Sequence, residues 1–213
     1  MDENMKWLYK SKVNEIISNL EKNNMQGFYV ENKEELIKKL DELVKNNSTV
    51  SVGGSMTLFE TGVIDYLKNK DVLFYNRYEE GLSKDDIKDI YRKSFSVDYY
   101  FTSTQAITLQ GELYNVDGTG NRVAAMLYGP ENVIVIVGIN KIVDDFDAAI
   151  KRNRNISAPA NAKRLNRKTP CAKTGYCMEC NSNDRICNEY TLIKRQSQKD
   201  RIKVIIVAEE FGY

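Results

Sequence analysis

Apolar residues return at helical spacing at Val13, Ile16, Ile17 and Leu20, in a segment otherwise rich in Lys, Asn and Glu. The pattern predicts an amphipathic helix with one buried stripe. A short run at 28–30 predicts a strand. Asn32 followed by Glu35 then gives the N-cap and capping-box signal for a second helix, with Leu36, Leu40 and Leu43 on one face. The run 48–52 predicts a strand that ends in Gly53-Gly54-Ser55 and feeds a helix through Met56, Leu58, Phe59 and Val63. Further strands are predicted at 72–75, 99–102 and 132–138, with a helix at 85–95 before the second of these. The 132–138 run is almost wholly apolar, too hydrophobic to face water on either side. Such alternation predicts an α/β fold, an open and largely parallel sheet with flanking helices on both faces.

Two stretches break the alternation. Residues 107–120 predict a hairpin that runs into a glycine-rich turn, with a helix beginning near Asn121. Ser157 before Pro159 reads as a helix start, and 153–168 predicts a helical arm with Ile156, Ala160 and Leu165 as its docking face. Strand-like runs at 191–194 and 202–208 close the chain. A length of 213 residues suits a single α/β domain over 1–213. Thirty-one basic against thirty acidic residues give a net charge of +1, so there is no global field to recruit nucleic acid or an anionic membrane. The acidic start of the chain and the lack of a bilayer-length apolar run predict a cytoplasmic protein, not a secreted or membrane-spanning one.

All four cysteines, Cys171, Cys177, Cys180 and Cys187, fall in one seventeen-residue window with the spacing C-x5-C-x2-C-x6-C, and the chain has no histidine. Four thiolates complete a tetrahedral metal shell or hold a four-iron four-sulfur (4Fe-4S) cluster, one sulfur per iron. Zinc ribbons usually join two C-x2-C knuckles, whereas here one knuckle is flanked by longer irregular loops. The spacing therefore favours an iron–sulfur cluster over zinc, with 169–190 as the metal-binding loop. Disulfides or free thiols are the bland alternative, weakened because nothing marks the chain as secreted.

Two polar blocks are candidates for a ligand cleft. In the first, Gly53 and Gly54 let the backbone turn sharply, and the hydroxyls of Ser55 and Thr57 beside a helix start form a cradle for phosphate or carboxylate; alternatively Ser55 is an ordinary N-cap. In the second, Asn115, Asp117, Gly118, Gly120, Asn121 and Arg122 crowd into eight positions. Arg122 can clamp an anion while Asp117 acts as a base, or the two can simply pair. Lys141 follows an apolar strand, where α/β folds place ligands, against the alternative of a solvated charge. With no histidine, acid–base work falls to such groups, and Glu60 and Glu112 are the further carboxylate candidates, although surface exposure is the default for glutamate. The basic stretch 163–168 lacks interleaved aromatics; it reads as a solvated face or as an offset to the charge of a thiolate-ligated metal.

Taken together, Gly53-Gly54-Ser55-Met56-Thr57, the 115–125 block, Gly129-Pro130 running on to Asn140-Lys141, and the cysteine window resemble the lactate-utilisation (LUD) domain family, in its stand-alone branch with a C-terminal four-cysteine loop. That resemblance implies a fold similar to the sugar-phosphate isomerase and CoA-transferase (NagB/RpiA/CoA transferase-like) superfamily, with a ligand cleft at the strand ends. It also implies an iron–sulfur protein that binds a small organic anion and takes part in hydroxy-acid oxidation or electron transfer with redox partner proteins. A homo-oligomer is compatible with this reading. Two alternatives stay open: a sugar-phosphate isomerase or CoA-ester acyl-transfer enzyme with a purely structural metal site, and a non-catalytic assembly subunit.

Overall fold

A computed structural model describes residues 2–213; Met1 lies outside the described residues. The N-terminal half carries helix α1 (Glu3–Lys22), strand β1 (Gln26–Val30), α2 (Lys33–Leu43), β2 (Ser48–Val52), α3 (Met56–Glu60), α4 (Val63–Asn69), β3 (Val72–Tyr75), α5 (Lys84–Lys93) and β4 (Tyr99–Thr102). There follow β5 (Ala106–Thr108), β6 (Leu113–Asp117), α6 (Asn121–Leu127), β7 (Asn132–Gly138), a 3-10 turn (Ile139–Lys141) and β8 (Ile142–Val143). The chain ends with α7 (Phe146–Arg152), a π turn (Asn153–Ser157), α8 (Ala158–Arg164), α9 (Cys171–Thr174), β9 (Glu189–Ile193) and β10 (Ile202–Val207).

Six strands form one parallel sheet in the order β1-β10-β7-β4-β2-β3. The last strand of the chain thus sits inside the sheet, between β1 and β7. Its register with β7, from Ile202 beside Val133 to Val207 beside Gly138, explains why both runs are apolar on both faces. On β7, Val133, Val135 and Val137 pack with Val13, Ile16 and Leu20 of α1 and Met126 of α6. Ile134 and Ile136 pack on the opposite face with Leu36 and Leu40 of α2 and Leu58 of α3. Burying each such side chain stabilises the fold by roughly 1.5–3 kcal/mol, so this strand is the mechanical centre of the core.

Local signals set most helix starts. Asn32 accepts from the Glu35 amide at 2.9 Å, but the Glu35 carboxylate reaches back to the Glu31 amide at 2.8 Å, one residue before the cap itself. Helix α5 has a full capping box between Ser83 and Asp86. The helix predicted to run on from the glycine turn is instead two, α3 and α4, broken at Gly62 with φ +78°.

Ser157 does not begin a helix. Asp145 does, accepting from the Ala148 amide at 2.8 Å, and the chain stays helical from Phe146 through the π turn to Arg164. Ser157 lies inside this run and accepts from Arg152 Nη1 at 2.9 Å. The docking face also differs from expectation: Ile156 and Leu165 are exposed, and Ala158, Pro159 and Ala162 are buried.

The hairpin belongs to a second sheet, ordered β8-β5-β6-β9. Strand β9 pairs antiparallel with β6, placing Glu189 beside Asp117. This pairing ties the residues just after the cysteine loop to the polar block before α6. Among the described residues, no helix is long and apolar enough to cross a membrane.

Candidate functional site: a basic cleft beside a four-cysteine cavity

The C-terminal ends of β2, β3, β4 and β7 converge on a cleft of about 430 Å³. Gly54, Ser55 and Thr57 come from the end of β2, Arg77 and Tyr78 from β3, Ser103 and Thr104 from β4, and Lys141 from the turn after β7. Parallel α/β sheets place ligands there because diverging loops leave a crevice beyond the strands. The opposite wall carries Asp117, Gly118, Asn121 and Arg122 together with Ser157, Asn161, Arg164 and Arg167. Five lining residues are basic and one is acidic, in a chain whose total charge is nearly zero.

Arg122 forms the floor. Its Nε donates to Asp117 Oδ1 at 2.9 Å, and Nη2 lies 2.6 Å from the same oxygen and 3.0 Å from Gln105 Oε1. Its Nη1 donates to the Ser103 carbonyl at 2.8 Å and to Asn115 Oδ1 at 2.7 Å. These acceptors take up all five N–H groups of the guanidinium, so Arg122 fixes β6, α6 and the end of β4 to one another and keeps no donor for a ligand. Asp117 is equally committed, because its second oxygen also accepts from the Arg122 and Val123 amides and so caps α6. Gly53 belongs to this floor: a Cβ there would lie 2.8 Å from both Arg122 Cγ and Tyr100 Oη. Gly120 sets the left-handed turn, φ +70°, that starts α6.

Other candidates scatter. Ser55 accepts from the Leu58 amide at 3.4 Å as the cap of the short α3. Glu60 does not line the cleft; it accepts from the Gly212 amide at 2.6 Å and anchors the C-terminal tail. Glu112 is also outside, bonded to Thr108 and 3.0 Å from Lys194 Nζ. Both positions follow from packing that no short-range pattern reveals: the tail crosses α3, and β9 brings Lys194 to the hairpin.

Lys141 is 2 % exposed. Its Nζ donates to Thr57 Oγ1 at 2.7 Å and Ser103 Oγ at 3.0 Å. Those hydroxyls in turn donate to the carbonyls of Phe211 and Thr104. Burial, reinforced by the Arg152 and Arg122 charges and opposed by Glu60, pulls the amine down to about 7. Arg152 itself locks the turn carrying Lys141, donating to the Asn140 carbonyl at 2.9 Å.

Sequence reasoning missed Arg77, Tyr78 and Tyr91; Arg164 and Arg167 are exposed, in keeping with a solvated face, and also line the cleft. Arg77 stacks on Tyr91 at 4.6 Å and Tyr78 at 5.4 Å and donates to Tyr91 Oη. Arg164 donates to Asn161 through Nε and Nη2 and sits beside the Tyr213 hydroxyl, whereas Arg167 pairs with Asp184 at 2.9 Å. Among the described residues, Arg77 and Arg164 therefore have no carboxylate partner. The one available signal for Arg77 was its place two residues beyond a strand end.

The four cysteines, all free, line a second, smaller cavity of about 20 Å³ together with Ala158, Met178, Ile186 and Tyr190. Arg185 holds the loop by donating to the carbonyls of Cys187 and Cys180, at 2.7 and 2.9 Å. Burial, then the neighbouring Cys177 and Cys171, push the Cys187 thiol up to about 11. The donor set, four sulfurs beside one carboxylate, Glu179, that is paired with Arg154, has the chemistry of a thiolate-bound cluster or zinc. Among the described residues, however, no three Cys, His, Asp or Glu side chains are grouped to hold a single ion as they stand.

Helix α8 stands between the two cavities, with Ala158 on the cysteine side and Asn161 and Arg164 on the cleft side, and Ile186 lines both. Pro159 contributes to this arrangement. In the π turn the Ala158 amide donates to the Asn153 carbonyl, so the next carbonyl, Arg154, would need an amide from residue 159, where proline has none. It accepts instead from the Cys177 amide at 3.1 Å, and Arg154 adds an ion pair to Glu179 at 2.8 Å.

An open parallel sheet with a basic crevice at its strand ends and a cysteine loop against one wall defines an α/β protein with a candidate ligand cleft. The chain belongs to the LUD domain family, whose sequence model matches residues 13–207, and it is thereby a lactate-utilisation-related protein. Its fold is similar to that of a DUF162 family protein from Deinococcus radiodurans, with a TM-score of 0.53, 14% identity, and coverage of 94% of this chain and 98% of that one. No match is found among curated proteins.

Proposed function

We propose that this LUD protein binds a small organic anion in the basic cleft and takes part in hydroxy-acid oxidation as an iron–sulfur electron carrier. The observation that carries the reading is the shared wall: Ile186 lines both the cleft, with its uncompensated Arg77 and Arg164, and the cavity of the four cysteines. Cys171, Cys177, Cys180 and Cys187 would hold the cluster, which supplies one-electron transfer when bound. Residues 173–176 and 178–179 are exposed, so the loop can spread around such a cluster without disturbing either sheet. Converting a 2-hydroxy acid to a 2-oxo acid releases two electrons and two protons, so a redox partner protein must draw the electrons off in turn.

Anaerobically purified protein should be brown, with about four irons and four sulfides per chain, and a Cys180→Ser variant should lose both. Colourless protein with one zinc would overturn the cluster. A second reading, an isomerase or acyl-transfer enzyme with a structural metal, is favoured by the cleft's volume, which lies in the range of roughly 300–1,000 Å³ that accommodates phosphorylated metabolites as well as small acids. Thermal-shift screening of L-lactate against phosphosugars and CoA esters separates the two.

A further inference from the structure

Lys141 is not explained by anion binding alone. A lysine that only attracts anions presents its charge to the ligand, as Arg77 and Arg164 do. Lys141 is instead buried at the back of the cleft, and its two protein partners, Thr57 and Ser103, are both hydroxyls rather than carboxylates. Because each hydroxyl spends its own proton on a main-chain carbonyl, each can only accept from Nζ. Two acceptors satisfy the two N–H bonds of a neutral amine and leave its lone pair over, in a residue that lines the cleft. An ammonium would have a third N–H with no partner among the described residues.

We propose that Lys141 is an imine-forming amine, which attacks the carbonyl carbon of a small anionic carbonyl compound held by Arg77 and Arg164. The inference rests on the reading of the cleft as an anion site and goes beyond it by assigning covalent chemistry. The Nζ lone pair forms the C–N bond as the C=O π bond opens. The carbonyl oxygen then leaves as water with the two amine protons. Net, amine and carbonyl give imine and water, with no oxidant or reductant. Charged groups around the amine, Arg152 on α7, Arg122 on α6 and Glu60 on α3, sum to a positive surrounding that favours the neutral form. The ligand class is a carbonyl next to an anionic group, which a 2-oxo acid and a ketose phosphate share.

The test is borohydride trapping of the full-length protein with pyruvate or with dihydroxyacetone phosphate, followed by peptide mapping. At pH 7 an amine of pKa about 7 is about a thousandfold richer in free base than a surface lysine near 10.4. One probe should therefore label Lys141 at least about tenfold above any other lysine, and the probe that does so identifies the anion. Half-maximal labelling of Lys141 should fall near pH 7, and Lys141→Arg should abolish it while other lysines are unchanged. Calorimetric binding of either probe without an adduct at Lys141 would overturn the imine and leave the anion site standing. Neither binding nor adduct would overturn both.

Discussion

Replacing Lys141 by Met tests the state of the buried amine without any ligand. Methionine is close in length and apolar, so it fills the space with little repacking. The folded protein holds the amine at about 7, against 10.5 when it is free in water. At about 1.4 kcal/mol per tenfold change in proton affinity, confining the charged form costs about 5 kcal/mol. Removing the amine also removes its hydrogen bonds to Thr57 and Ser103, at a loss of about 1 kcal/mol each. Below about pH 7 both folded and unfolded wild type carry the proton, the full penalty applies, and the Met variant should be the more stable by about 3 kcal/mol. Between pH 7 and 10.5 the unfolded chain holds a proton that the folded one lacks, so wild-type stability rises with pH by up to about 1.4 kcal/mol per unit. The gap should close and then reverse, leaving the variant about 2 kcal/mol less stable near pH 10.5. Urea unfolding of both proteins at half-unit steps measures this directly. A difference that stays constant across the window would refute a depressed Lys141.

Arg122→Ala should cost about 3–5 kcal/mol, because it strands Asp117 as a buried, uncompensated carboxylate; a wild-type urea midpoint would show that the floor network is dispensable. Gly53→Ala should destabilise by about 1–3 kcal/mol, since its Cβ meets Arg122 and Tyr100, and an unchanged thermal midpoint would refute the close fit. Arg164→Ala, which removes a cleft charge with no carboxylate partner, should weaken inorganic phosphate binding about tenfold by calorimetry while leaving the unliganded midpoint within about 0.5 kcal/mol of wild type.

What the sequence revealed tracks the range of the forces involved. The apolar runs of β7 and β10 announce a sheet buried on both faces, because burial acts on each residue in place. Asn32 and Ser55 announce their helices because caps are local. The pairing of β6 with β9 bridges some seventy residues and has no local signature, so the hairpin's sheet and the contact between Glu112 and Lys194 stayed hidden. Ser157 before Pro159 carries a start signal, yet it lies within a helix already running from Asp145, and its hydroxyl serves Arg152. The rule that ligands gather at strand ends located Lys141 and would have located Arg77, but neither the burial of the first nor the tyrosine stacking of the second is written in spacing. The crowding at 115–122 was legible as a polar knot; that Arg122 spends every donor inside it was not.

The π turn lets one helical run serve both cavities although a proline stands within it. A turn closed by i to i+5 bonds holds one residue more than an α turn in nearly the same rotation, so α8 keeps its angular place after α7 although the run has gained a residue. Ala158 therefore faces the cysteines while Asn161 and Arg164 face the cleft. The amide that Pro159 lacks is thereby turned into a tether, which moors the cysteine loop to the helical run through the Arg154 carbonyl and the Cys177 amide.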